Sequence, residues 1–118
     1  NESLSPVVLQ CPGETEFEYY RVTCTAAEEI IQTREAFTIC PHGAIIVRSR
    51  QSGDSIRLQG GSISLKKLFI DRKIPASQRS RIPVVCDEQG ILGVYSIGVN
   101  REREAESLPA ATIRIEKK

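Results

Sequence analysis

At 118 residues, with 40% hydrophobic and 26% charged side chains, the chain has the composition of one compact domain with its own core. It is too apolar for disorder, and no apolar run approaches the ~18 residues of a membrane span. The start, Asn1-Glu2-Ser3-Leu4, has neither the basic nor the apolar part of a signal peptide, so a cytoplasmic location is expected. There is no methionine, and an excised piece of a longer protein is the simpler expectation.

In chain order, Val7-Val8-Leu9 predicts a first strand, Pro12-Gly13 a turn, and Phe17 to Cys24 a second strand. Ala26 to Ile31 is readable as one helical turn or as loop, and Ala36 to Cys40 resumes a strand. After Pro41-His42-Gly43, a buried strand from Ala44 runs into Arg48-Ser49-Arg50, where alternation puts Arg48 and Arg50 on one face. Gln51 to Asp54 has turn chemistry, and Ser55 to Leu58 alternates with Arg57 outward. These two segments form a candidate hairpin with Arg48 opposite Arg57, a like-charge pairing that an anion would relieve.

Gln59-Gly60-Gly61-Ser62 reads as a flexible lead into a helix capped by Ser64, with Leu65, Leu68 and Phe69 on its core face. Lys66 and Lys67 occupy its first turn, against the dipole, and the free N–H groups of that end would add a phosphate site. A second short helix should begin at Pro75 and end near Ser80. Pro83 to Tyr95 predicts an apolar hairpin around Asp87 to Gly90, Arg101 to Ser107 a charged connector, and Ala111 to Glu116 a last strand.

The net charge of +1 conceals a division. Residues 43–83 hold nine Lys or Arg against only Asp54 and Asp71, whereas the remainder holds seven against thirteen Asp or Glu. Such asymmetry suggests a polyanion partner, although clustered surface cations can simply solvate one face. The four cysteines have no Cys-x-x-Cys pair and no zinc-ligand spacing, which predicts four reduced, mostly buried thiols and no metal site. His42 has no nucleophile motif around it, Asp54 and Asp71 have ordinary structural explanations, and the G-x-x-x-x-G-K-[ST] loop is absent, so no catalytic centre is expected. A helix-turn-helix reading gives a second helix too short to read duplex DNA. Base stacking has little support because Phe69, the one aromatic in the basic segment, faces the core. Recognition of a structured RNA through backbone and shape remains.

The run from Ile46 to Val85 resembles the C-terminal domain of bacterial tRNA(Ile)-lysidine synthetase. The resemblance rests on Arg48-x-Arg50, Gly53-Asp54, Leu58, Lys66-Lys67-Leu68-Phe69, Asp71, Ile74-Pro75, Arg79 and Pro83. It is strong over these forty residues and weak before Ala36. It implies a small α+β domain, mixed and β-sandwich-like with two short helices, of the kind shared with part of the phenylalanyl-tRNA synthetase β subunit. It also implies a parent enzyme that adenylates the wobble cytidine of tRNA(Ile) with ATP and magnesium and then joins lysine to it. Those cofactors and that ligase chemistry belong to a catalytic N-terminal domain whose Ser-Gly-Gly-x-Asp-Ser loop is not in this sequence, so residues 1–118 are expected to bind tRNA(Ile), on the acceptor stem, without cofactor or catalysis.

The candidate RNA-binding residues are Arg48, Arg50, Arg57, Lys66, Lys67, Arg72, Lys73, Arg79 and Arg81, of which five or six are expected to touch the RNA. Ser55 and Ile63 stand where many relatives carry a basic residue, and neither is included. The alternative is a protein-interaction module that docks the missing catalytic domain or a second copy as a homodimer.

Overall fold

The computed structural model describes residues 4–118; Asn1, Glu2 and Ser3, part of the start considered above for a leader, lie outside the described residues. The elements are β1 (Val7–Leu9), β2 (Gly13–Phe17), β3 (Tyr20–Ala26), β4 (Ala36–Ile39), β5 (Ile45–Arg48), β6 (Ser55–Leu58), β7 (Gly61–Ser64), α1 (Leu65–Asp71), α2 (Ala76–Arg79), β8 (Val84–Asp87), β9 (Gly90–Val94), β10 (Gly98–Val99) and β11 (Ala111–Lys117). Two short helices among antiparallel strands make this the α+β domain that the sequence predicts.

One sheet has the order β1-β5-β8-β9-β10, the second β2-β3-β11-β4, and β6 and β7 form a separate hairpin. At β8 the five-stranded sheet is buried on both faces, which explains why Val84-Val85-Cys86 is apolar without a break. Val85, Val47 and Leu92 turn toward the second sheet, where Val22, Phe37, Ile39, Ile113 and Ile115 complete one core. Val84, Cys86 and Val94 turn the other way and pack with Ile56, Leu65, Leu68 and Phe69. The hairpin and α1 are therefore seated by the reverse face of the central sheet. The two sheets approach closely where the ring of fully buried Phe37 lies over Gly93, and a Cβ there would stand 2.6 Å from Cζ of Phe37.

Several sequence expectations need correction. Phe17 to Cys24 is not one strand: Glu18 and Tyr19 form a tight turn, with Glu18 at φ 53°, between paired Phe17 and Tyr20. A continuous strand would send Phe17 and Tyr20 to opposite faces, whereas the turn buries both. Of the two readings left open for Ala26 to Ile31, the structure has the one without a helical turn. Arg48 does not lie opposite Arg57, because both edges of β5 are occupied by β1 and β8. β6 instead pairs with β7, so Gln59 and Gly60 are a hairpin turn and Gly61-Ser62 a strand, not a flexible lead. Pro75 caps α2 from outside its first turn.

The expectation of four reduced thiols also fails, since Cys11 and Cys24 form a disulfide. The β2–β3 ladder sets Gly13 opposite Cys24 and returns the segment before β2 to within a Cα separation of 5.1 Å, inside the range a disulfide needs. Cys40 is free and exposed; Cys86 is buried, and burial pushes its thiol up to about 11.

Candidate nucleic-acid interface

The β6–β7 hairpin divides its residues by face. Ile56 and Ile63 pair and pack inward, while Ser55, Arg57, Ser62 and Ser64 point away from that core. Its second edge is tied down by the segment after β10: the Arg57 N–H donates to Asn100 Oδ1 at 3.3 Å, and the Arg101 N–H to the Arg57 carbonyl at 2.8 Å. The chain then enters α1 through Ser64, whose Oγ accepts the Lys67 N–H at 3.1 Å as the capping pattern predicts. Leu65, Leu68 and Phe69 are buried. The Leu65 N–H donates to the Asp54 carbonyl at 3.0 Å, so two of the first three N–H groups of α1 are already bonded. The phosphate site expected from free backbone donors is correspondingly reduced, and any anion held here would depend on the charge of the side chains. Lys66 and Lys67 are exposed, and with Ser64, Ile70 and Asp71 they line an open hollow of about 290 Å³. Lys67 Nζ lies 3.4 Å from Asp71 Oδ2, both well exposed.

The nine candidate cations fall into distinct circumstances. Arg48 is clamped: its two terminal nitrogens reach the two oxygens of Asp54 at 2.7 and 3.2 Å, with both side chains only 13% exposed, and Nη1 also donates to the Ser49 carbonyl. Burial alone would depress the guanidinium, but the Asp54 carboxylate and the nearby Cys86 sulfur together outweigh it and hold its pKa above the ordinary value. Arg81 donates to the Tyr19 hydroxyl at 2.8 Å, lies 3.7 Å from Glu18, and sits 4.9 Å from the Tyr19 ring centroid. Arg72 and Arg79 donate to the Ser96 and Ile74 carbonyls at 3.0 and 2.9 Å. Arg50 makes one long hydrogen bond, 3.5 Å, to the Gln51 carbonyl. Lys73 follows the C-cap of α1 at φ 57° and is exposed.

Backbone and hydroxyl bonds place these groups. Ser49 Oγ donates to the Ser80 carbonyl at 2.6 Å, which brings the Arg50 and Arg81 segments side by side. Asp54 joins that region to the start of α1 through its Arg48 clamp and its carbonyl. Arg57, beside Arg101, and Arg72 and Lys73, at the far end of α1, are held by separate bonds. Among the described residues Arg48, Lys67 and Arg81 have carboxylate partners, and the other six candidates have none within ion-pair distance.

Two features escaped the sequence. Asp87, with a fully buried side chain, receives two N–H groups of Arg103 and the backbone N–H groups of His42 and Gln89. Burial pushes this carboxyl up, but those bonds and the Arg103 charge hold it below the usual carboxylate range. Tyr19, 62 residues from Arg81, lies beyond any spacing rule.

The family model described as the TilS substrate C-terminal domain matches residues 45–116. The chain belongs to this family. Among curated relatives, the tRNA(Ile)-lysidine synthase of Clostridioides difficile is 48% identical over 60 residues, covering 49% of this chain and 13% of the relative. That of Deinococcus radiodurans is 39% identical over 69 residues, covering 53% and 12%. The matched region is thus about an eighth of those proteins. A crystal structure of a TilS C-terminal domain superposes with a TM-score of 0.83 over 98% of both chains at 22% identity, which extends the shared fold to the strands before residue 45. No helix among the described residues is long and apolar enough to cross a membrane.

Proposed function

We propose that this chain is the tRNA-binding C-terminal part of a tRNA(Ile)-lysidine synthetase, holding tRNA(Ile) by the phosphates of its acceptor stem while a catalytic domain elsewhere in the protein modifies the wobble cytidine. ATP and magnesium serve that domain, and no cofactor is assigned to the residues here. What supports the reading is the exposure of individual cations in the family segment: Arg57, Lys66 and Lys73 are exposed with no carboxylate partner among the described residues, and Lys67 has only a solvent-screened one. An exposed ammonium or guanidinium can exchange water for phosphate at little cost, whereas Arg48 would have to leave Asp54. Arg48 therefore acts in this proposal by shaping the entry to α1, and the phosphates are held by the others.

A titration of a tRNA(Ile) transcript between 50 and 200 mM salt tests this. With about five phosphates neutralised, log affinity falls with log salt at a slope of roughly −3.5 to −4.5. Affinity that is independent of salt would sink the proposal.

A further inference from the structure

We propose that Tyr19 is a stacking platform for an unpaired nucleotide of the bound RNA, placed beside the phosphate-binding cations by Arg81. This rests on the RNA-binding reading above and deepens it by naming a single-stranded element that the cationic surface alone does not require.

Tyr19 occupies the tip of the β2–β3 hairpin and is 50% exposed, one of the few large apolar side chains left in solvent. At that tip Glu18 takes the left-handed φ of 53° that a two-residue hairpin turn calls for. Two bonds fix the position of Tyr19: the Lys118 N–H donates to its carbonyl at 2.7 Å, and Arg81, itself 3.7 Å from the Glu18 carboxylate, donates to its hydroxyl. The ring is therefore held with the Arg81 guanidinium over it, 4.9 Å from the centroid, while Tyr19 as a whole stays half exposed, so a base would have to stack on the side away from Arg81.

The chain neighbour of Arg81, Ser80, is bonded to Ser49, next to Arg50. An aromatic ring held beside Arg81, whose segment runs next to that of Arg50, combines the two components that bind single-stranded nucleic acid, a π-face for a base and cations for its phosphates. A duplex buries its base faces in its own stack, so the ring suits a nucleotide that extends past a helix end or bulges from it.

The test compares two RNAs on the 118-residue chain, a blunt hairpin and the same hairpin with a four-nucleotide 3′ extension carrying 2-aminopurine. In the wild type the extension should raise affinity and quench the 2-aminopurine fluorescence. Tyr19→Ala should lose roughly 5- to 30-fold affinity for the extended RNA, and the quenching with it, while binding the blunt hairpin unchanged. Tyr19→Phe, which keeps the ring and loses the hydroxyl, should behave as wild type in quenching. Equal losses on both RNAs would make Tyr19 a positioning residue for Arg81 and overturn the proposal, as would an extension that adds neither affinity nor quenching. If the wild type binds neither RNA, the RNA-binding reading falls and takes this one with it, whereas salt-dependent binding of both RNAs with equal affinity removes only the role of Tyr19.

Discussion

At the end of β5 and in the first turn of α1, cations joined by a single intermediary behave in opposite ways. Arg48 and Asp54 form a two-pronged pair with 13% of each side chain exposed, and the Asp54 carbonyl then caps Leu65 at the start of α1. One residue further on, Lys66 projects into solvent, and Lys67 has only the exposed Asp71 nearby. Arg48 counts for as much as either lysine in a tally of cations, but the first place is part of the framework and the second is open to solvent. The difference lies in desolvation: a pair withdrawn from water cannot lose one member without stranding the other, while an exposed ammonium exchanges partners freely.

Breaking the inner pair should have the largest effect. Asp54→Ala leaves Arg48 desolvated without its counter-charge and removes the acceptor for the Gln51 N–H, and we expect a loss of about 3 kcal/mol in urea unfolding. A loss below ~1 kcal/mol would place Arg48 with the ligand-available cations after all. Acid provides a second measure of the same contrast, through Asp87. Its folded pKa is depressed, so its contribution is complete above the unfolded value near 3.9 and is lost as pH falls below about 4 through the folded value. Replacing Asp87 with Asn should flatten the acid limb of a stability–pH profile, and an unchanged limb would contradict the assignment.

The smallest effect on stability should come from the outer cations. Lys66→Ala and Lys67→Ala are expected to alter the unfolding free energy by a few tenths of a kcal/mol, since exposed pairs contribute little and lysine opposes the dipole at this end. Removing a lysine that neutralises a phosphate should also reduce the salt slope of tRNA binding by about one. A large fall in stability with unaltered binding would reverse the contrast between the two places.

The local features were legible from neighbouring residues. The Ser64 cap, the buried spacing of Leu65, Leu68 and Phe69, the Val84 to Val94 hairpin and the alternation of the last strand all follow from residues within a few positions of each other. The β5–β6 hairpin was misread for the same reason: Gln51 to Asp54 does make a turn, with the Asp54 N–H bonded to the Gln51 carbonyl, but a turn does not specify which strands pair beyond it. The disulfide was missed because a separation of 13 residues says nothing about a hairpin that folds back between them.

Periodicity and capping were enough to mark most of the strands and the inward face of α1, composition located the segment in which the cations collect, and the resemblance implied the α+β class. Which of those cations are clamped, how the central sheet comes to be covered on both sides, and that Tyr19 meets Arg81 all depend on strand edges being occupied by distant partners. Side-chain periodicity acts over a few residues and is written in the order of the amino acids, whereas desolvation of a charge depends on everything packed around it, and that exists only once the layers have closed.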